Sequence, residues 1–372
     1  QARGEDNPSK VEELMQLARL EPLRLPRLKE LLEVAAPPLR ERVERCITVL
    51  TEKDFITHTY EVPRYPEQPL SPDSLEHVQS IMPSDLFSKV QSWLASAKTP
   101  DLDQVRSYNE QVGPHNDHSD LLTKILSIQR SLKMTPIDCY LTRGKRSGEV
   151  RGYTASNPFL MVGHDLTDPE HPKHLGDAEL LFLLASEMAH IKFKHAKITS
   201  QDVWRGGLEK GVMAAQFLPM LGSAFRALSL PVHKVPVSPV LSKSSKTISK
   251  LGKTGLFEYA KSHWDSYLEG DQVSDKRDES LLEISRMMQF VADRIGLILC
   301  GDVRAAVRAL FYASDRNFKN VPFVGLYGIG SLAQQEDEEG RLAYEQLALR
   351  IASMLSFYLT DEYQKARKQA VS

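Results

Sequence analysis

The chain contains little cysteine. Its 372 residues include only three, Cys46, Cys139 and Cys300, and none of them stands in a C-x-x-C spacing. Cysteines this far apart, two of them among apolar neighbours, are expected to be buried thiols rather than disulfides. Free thiols favour a reducing compartment such as the cytoplasm.

An excess of charge of one sign is also missing. The 47 basic residues nearly balance the 49 acidic ones, which gives a formal net charge of -2. No overall field therefore favours nucleic acid or an acidic membrane surface. A chain of this length can bury one large core or two smaller ones, and two are expected. Because it starts at Gln1 rather than Met, a processed or truncated product, with a signal or upstream domain removed, stays open.

No uninterrupted apolar run reaches the length of a membrane span. The longest candidate, residues 211–225, is broken by Gln216 and Pro219 and falls short of the roughly 20 residues that a span needs. A buried hairpin is the favoured interpretation. Downstream, Ser242 to Thr254 carries four regularly spaced lysines, which would form a basic stripe if the segment were helical. Its serines favour a solvated loop, and peripheral membrane contact through 211–254 is the alternative.

The most informative stretch is Leu181 to His195, an apolar helical pattern that ends in polar residues. Its centre reads S-E-M-A-H over residues 186–190, one substitution away from H-E-x-x-H. In that motif, residues four apart lie on one helix face, so two imidazoles bind one Zn²⁺ while the intervening Glu polarises the metal-bound water. Here Ser186 stands in place of the first imidazole.

A second segment supports the motif. Residues 285–297 read S-R-M-M-Q-F-V-A-D-R-I-G-L, which resembles the S-R-x-x-E-x-x-A-D-R-I-G-L segment of the zinc metallopeptidase family of the heat-shock protease HtpX and the CAAX prenyl endopeptidases. The segments Gly152 to Gly163 and Asp177 to Leu184 resemble the strands and helix start that precede the family's metal-binding helix. The resemblance covers roughly residues 136–313.

The resemblance implies a role for each matching position. Ser186, His190 and Gln289 correspond to the family's metal ligands, and Glu187 corresponds to its general base. Asp293 and His195 correspond to residues that support the ligands, and Arg294 is expected to pair with Asp293 or Glu187. Because only His190 keeps strong zinc-ligand chemistry, we expect no cofactor and a vestigial Glu187, with retained zinc as the alternative.

Other histidines are candidates to replace the missing ligands. His195 follows His190 by five positions, so on a continuous helix it would point away from the face of residues 186 and 190. His164, His171 and His174 lie in a Pro- and Asp-rich stretch near several carboxylates. A solvated connector is the favoured interpretation of that stretch, with recruited zinc ligands as the alternative.

The predicted fold is α+β and predominantly helical: a zincin-like metallopeptidase domain with a small sheet from about 136 to 163 against the Leu181 helix, preceded by a helical N-terminal region. Expected boundaries are an N-terminal helical segment 1–53, a linker 54–72, helices 73–135 and the zincin-like domain 136–372. The Gly-rich run at 325–330 is expected to bind no cofactor.

Three functions follow from these patterns. The first is a catalytically inactive peptidase homologue (pseudopeptidase) that binds a protein or peptide partner or scaffolds an assembly. An extended peptide would then add to the strand Phe159, Leu160, Met161 and Val162 by main-chain pairing. The alternatives are an active atypical zinc endopeptidase with recruited ligands, and a helical adaptor or membrane-surface subunit in which residues 8–134 or 211–254 make the contacts.

Overall fold

A computed structural model describes residues 8–53, 64–81, 102–115, 118–144, 147–154, 157–195, 279–336 and 344–372. This part of the chain is predominantly helical with one small mixed sheet, which agrees with the α+β class. The apolar run 211–225 and the lysine-rich stretch 242–254 lie outside it. Among the residues that the structure describes, no helix has the length and apolar character needed to cross a membrane.

The elements are numbered here in chain order. The helices before the sheet are α1 Pro8–Leu20, α2 Leu25–Val34, α3 Pro37–Thr51, α4 Pro72–Gln79, α5 Leu102–Tyr108 and α6 Ser119–Ser131. The strands are β1 Glu110–Gln111, β2 Asp138–Thr142, β3 Val150–Tyr153 and β4 Phe159–Gly163. The later helices are α7 His164–Thr167, α8 Asp177–Lys192, α9 Glu279–Cys300, α10 Val303–Tyr312, α11 Asp315–Phe318, α12 Val321–Tyr327, α13 Ile329–Ala333, α14 Glu345–Tyr358 and α15 Asp361–Val371.

Several helices begin at residues whose side chains satisfy the first free backbone N–H groups. Asp302 accepts hydrogen bonds from the N–H groups of Arg304 and Ala305 at the start of α10, at 2.8 and 3.2 Å. Thr360 accepts one from Tyr363 at the start of α15, at 3.2 Å. These side-chain hydrogen bonds determine the residues at which α10 and α15 begin.

The sheet has the strand order β1-β2-β4-β3, with β2 and β4 parallel and the two outer pairs antiparallel. Residues 159–162 of β4 pair with β2 on one side and with β3 on the other. The prediction that a peptide adds to these four residues is therefore wrong, because both backbone edges of β4 are already hydrogen-bonded. Among the described strands, β1 and β3 form the edges.

Helix α8 is the centre of the structure. Its residues from Ala178 to Ile191 are all buried apart from Glu187, which is half-buried. A helix that is apolar on all sides must be enclosed by other elements. Helix α9 packs along it, α10 and α6 cover further sides, and β3 lies against its C-terminal half. The small sheet thus lies against the Leu181 helix.

The N-terminal helices share the core of the rest of the chain. Leu28, Leu31, Val43 and Leu50 belong to the same buried apolar cluster as the side chains of α8 and α9. Polar contacts reinforce this packing, since Glu52 after α3 forms an ion pair with Arg304 of α10. Cys46, Cys139 and Cys300 are buried and free, which confirms the expectation that they are thiols.

Candidate functional site at the α8–α9 seam

The side chains predicted to be remnants of a metal site meet along the contact between α8 and α9. We call this contact the seam. Ser186 lies at a point where α8 and α9 approach each other closely. A Cβ placed on Gly296 of α9 would come 2.3 Å from the Ser186 Oγ and 2.8 Å from the ring of Phe182. Only glycine therefore fits at position 296 without a shift. The Ser186 hydroxyl is buried against this surface and has no hydrogen-bond partner within the described chain.

One helical turn further along α8, His190 meets Gln289 of α9. Gln289 is one of the polar groups close to the buried His190 ring, and Nδ1 of that ring has no hydrogen-bond partner among the described residues. Pairing of 186 with 296 and of 190 with 289 shows that the helices run antiparallel. The Gln289 Nε2 in turn donates to Oδ1 of Asp293 at 3.0 Å.

Asp293 is fully buried, and an arginine from α14 holds its carboxylate. The Nε of Arg350 donates to Oδ2 at 2.8 Å and its Nη2 donates to Oδ1 at 2.7 Å. Two parallel hydrogen bonds between a guanidinium and a carboxylate form a strong, directional ion pair. Sequence reasoning missed Arg350, since nothing in the pattern of residues 344–358 points to the seam.

The expected pairing of Arg294 with Asp293 is wrong. Successive residues of a helix point about 100° apart, so Arg294 leaves α9 on another side. Its guanidinium carbon lies 5.0 Å from the centroid of the Phe357 ring, which is a cation–π contact.

His195 lies beside His190 rather than away from it. Helix α8 ends at Lys192, and Lys194 adopts a left-handed backbone conformation with φ of 63°. The chain therefore leaves the helical path, and the His195 ring lies 5.5 Å from that of His190, centroid to centroid. The expectation drawn from a continuous helix fails because the helix stops three residues earlier. His195 is fully buried.

Glu187, at the general-base position, binds the backbone of the sheet. Its Oε2 accepts a hydrogen bond from the N–H of Gly152 in edge strand β3 at 2.8 Å. A Cβ on Gly152 would lie 2.8 Å from the Glu187 carbonyl oxygen and 2.9 Å from Ile191, so glycine permits this close approach. Glu187 thus joins α8 to the open side of β3.

The histidines of the 164–174 stretch lie apart from the seam. His164 begins α7, and the His171 Nε2 lies 3.7 Å from a carboxylate oxygen of Asp165, which also accepts a hydrogen bond from the Ser147 hydroxyl. Among the described residues, no group of three or more His, Cys, Asp or Glu side chains is arranged to hold a metal ion.

Burial favours the neutral form of both imidazoles at the seam. Burial lowers the pKa of His190 below its usual range, although Glu187 and Asp293 act to raise it. Burial and then the neighbouring His190 lower the pKa of His195 well below its usual range. Removal from water disfavours the charged form of a histidine in each case.

The residues at the three positions predicted to hold a metal do not fit a zinc ion. Ser186 offers a hydroxyl that lies against Gly296, and Gln289 offers an amide already bonded to Asp293. The Asp293 carboxylate is already paired with Arg350, which donates to both of its oxygens. Zinc prefers imidazole, thiolate and carboxylate donors, and this set provides one imidazole.

Comparison of the chain with models of known protein families, with curated proteins and with solved structures gives no match. The interpretation of the seam therefore depends on its own residues and contacts.

Proposed function

We propose that the chain is a catalytically inactive relative of the zinc metallopeptidases that acts as a protein-binding or scaffolding component. The observation that carries the proposal is the state of Gln289 and Asp293. The amide at the third ligand position is bonded inward to Asp293, and Asp293 is neutralised by Arg350. The negative charge of the buried Asp293 is thus balanced by Arg350, an arginine of the same chain.

The same contacts give Glu187 a structural part. In a metal-dependent hydrolase this carboxylate would take a proton from the metal-bound water. Here it accepts the Gly152 N–H at the edge of β3. An extended peptide that adds to β3 would have to replace this carboxylate with one of its own carbonyl groups. Edge strand β3 is accordingly the surface at which we place peptide binding.

The test of the inactive-homologue proposal is the metal content of the purified protein, measured by elemental mass spectrometry. We expect no stoichiometric zinc in the unmodified chain. The double variant Ser186→His with Gln289→Glu should gain about one equivalent, and each single variant should gain less. Circular dichroism of all variants checks that they fold. Stoichiometric zinc in the unmodified protein would overturn the proposal, whatever the variants do.

The peptide-binding surface has a separate test. Peptides selected from a random display library against the whole protein would be titrated against the unmodified chain and the Glu187→Ala variant. We expect tighter binding, by several-fold, to the variant, because the Gly152 N–H is then free. Equal affinity for both proteins would mean that peptides bind elsewhere than at β3.

A further inference from the structure

The C-terminal ends of α6 and α8 meet at the protein surface. The Nζ of Lys192, the last residue of α8, donates a hydrogen bond to the carbonyl oxygen of Lys133 just after α6, at 3.1 Å. Arg130 and Lys194 lie within three positions of this contact along the chain. Lys192 is half-buried and the other three residues are exposed. We call Arg130, Lys133, Lys192 and Lys194 the basic corner.

Lys133 and Lys194 occupy a backbone conformation that lysine rarely adopts. Their φ angles are 48° and 63°, and no other non-glycine residue in the described part of the chain has a positive φ. Each lies two positions after the last residue of its helix. A left-handed residue commonly ends a helix at this position, and it is usually glycine because glycine has no Cβ. Both helices therefore end with a lysine where glycine would be less strained.

Stability of the helix ends does not account for these two lysines. Cations are favoured near helix C-termini, because the free carbonyl groups there carry partial negative charge. Arg130 and Lys192 already place a cation in the last turn of each helix. Strained residues are characteristic of functional sites, so the second pair of cations points to a role in binding.

The basic corner has no counter-charge in the part of the chain that the structure describes. None of its four side chains forms an ion pair with a carboxylate there, whereas Arg42 pairs with Asp361 and Arg304 pairs with Glu52. The formal net charge of the whole chain is -2, so the positive potential of the corner is a local feature. Such a patch attracts a partner of negative charge.

The solvent-facing side of α6 adds an apolar side chain next to the basic corner. Leu126 is 46% exposed and lies four residues before Arg130, on the same helix face. A partner that suits this surface carries carboxylates and an apolar side chain. Single-stranded nucleic acid would be expected to stack on exposed aromatic rings, but Phe193, the aromatic residue within the corner, is buried. A membrane surface would be expected to meet several exposed apolar side chains.

We propose that the basic corner and Leu126 bind an acidic segment of a partner protein, whose carboxylates pair with the four cations while an apolar side chain covers Leu126. This inference rests on the proposed function, since it names the chemistry of the partner that a protein-binding component would take. It uses side chains of α6 and α8 rather than the backbone of β3, so the two surfaces can be tested separately.

The probe is a short synthetic peptide of glutamate residues around one leucine, labelled with a fluorophore. Fluorescence anisotropy measures its binding to the whole protein, and a peptide with glutamine in place of each glutamate is the neutral control. We expect the acidic peptide to bind roughly tenfold or more tightly than the neutral one, and to bind less tightly as salt screens the charges. Equal binding of the two peptides would overturn the proposal.

Charge reversal tests whether the basic corner is the binding surface. Lys133→Glu with Lys194→Glu should weaken binding of the acidic peptide by roughly tenfold or more, because two attractions become repulsions. Lys365→Glu with Lys368→Glu changes the net charge equally at two exposed positions of α15 and should leave binding nearly unchanged. Equal losses in the two variants would mean that overall charge, and not the corner, attracts the peptide.

The variant Lys133→Gly with Lys194→Gly separates binding from stability. Glycine relieves the left-handed backbone, so we expect a higher melting temperature together with weaker binding of the acidic peptide. A lower melting temperature would show that the lysines stabilise the helix ends. Unchanged binding would show that they do not contact the peptide. Each of these two results contradicts the proposal.

Two further probes test the class of partner. They are vesicles of phosphatidylcholine with phosphatidylserine, and a single-stranded oligonucleotide. Tighter binding of one of these than of the acidic peptide, lost in Lys133→Glu with Lys194→Glu, would overturn the choice of a protein segment. Zinc in the unmodified protein contradicts the proposed function, whereas metal-free protein that does not bind the acidic peptide contradicts the role of the basic corner alone.

Discussion

At the scale of single residues, Gly296 shows how closely α8 and α9 approach. We predict that Gly296→Ala destabilises the protein by about 1–3 kcal/mol, because the new Cβ would overlap Ser186 and Phe182. The gain in helix propensity, about 1 kcal/mol, opposes this only in part. Urea unfolding would measure the difference. Adding Ser186→Ala should recover some of the loss by removing the nearest atom.

The matched control is Gly325→Ala in α12. A Cβ there would come no nearer than 3.4 Å to another atom, the carbonyl oxygen of Lys53, which is ordinary contact. This variant should be neutral or slightly stabilised. If Gly296→Ala and Gly325→Ala lowered the free energy of unfolding by similar amounts, that result would contradict the steric explanation.

Glu179, in the first turn of α8, is predicted to make stability depend on pH. Its carboxylate is fully buried, and burial raises its pKa from 4.5 to about 7, although Arg308 at 3.4 Å acts in the opposite direction. Between these two pH values the unfolded chain releases the proton and the folded chain keeps it. The contribution of Glu179 to stability is therefore full below about pH 4.5 and is lost as the pH rises through about 7.

We predict that Glu179→Gln removes this slope. Measured relative to the unmodified protein, its free energy of unfolding should improve by up to about 3 kcal/mol between pH 5 and pH 8. Urea unfolding at both pH values provides the comparison, and Glu44→Gln at an exposed position of α3 is the control. A difference between Glu179→Gln and the unmodified protein that does not change with pH would contradict the prediction.

The residues of the seam were only partly predictable. Helical spacing, which is visible in the sequence, puts Ser186 and His190 on one face of α8. It likewise puts Gln289 and Asp293 on one face of α9. Arg350 was not predictable, since it is 57 residues from Asp293 and reaches it only through the packing of α14. The position of His195 depends on where α8 ends, and the left-handed Lys194 gives no sequence signal of the kind that glycine would.

At the scale of whole elements, Arg42 of α3 joins the N-terminal helices to the C-terminal ones. Its Nη1 donates to the carbonyl oxygens of Leu359 and Thr360 at 2.9 and 2.6 Å, and its Nη2 donates to Asp361 at 3.1 Å. It thereby satisfies carbonyl groups where α14 ends and α15 begins. We predict that Arg42→Ala costs about 2–4 kcal/mol, since these buried acceptors lose their donor.

Chemical unfolding checks that prediction, with Arg45→Ala on the same helix as the control. Arg45 is about half exposed and pairs with Glu41 within the helix, so its loss should cost about 0.5 kcal/mol. Equal costs for the two variants would mean that the link between α3 and the C-terminal helices contributes nothing.

The strands show why elements are easier to predict than their arrangement. Residues 159–163 form a strand, as the apolar run indicated, but a run that is buried on both sides does not reveal its neighbours. Pairing of β4 with β2 depends on contacts between segments about 20 residues apart, and it converts an expected edge into the centre of the sheet. Strand β1, two residues long, falls within residues 73–135, which were expected to be helical.

At the scale of the whole molecule, the N-terminal helices and the seam depend on one core. Leu28, Leu31, Val43 and Leu50 are almost completely buried in the cluster that contains α8 and α9. Helix α1 packs on α14, which carries Arg350, and α3 packs on α10. A helical adaptor that works independently of the rest would not need contacts of this kind.

Removal of residues 1–52 is therefore predicted to unfold more than the segment removed. It would expose apolar side chains of α10, α13 and α14 that the N-terminal helices now cover, and each fully buried leucine or valine contributes roughly 1.5–3 kcal/mol. We expect the shortened chain to be insoluble or to lose the cooperative thermal transition of the whole protein, measured by circular dichroism. A soluble shortened chain with an unchanged melting temperature would instead show that the N-terminal helices are independent, and would favour the alternative of a helical adaptor.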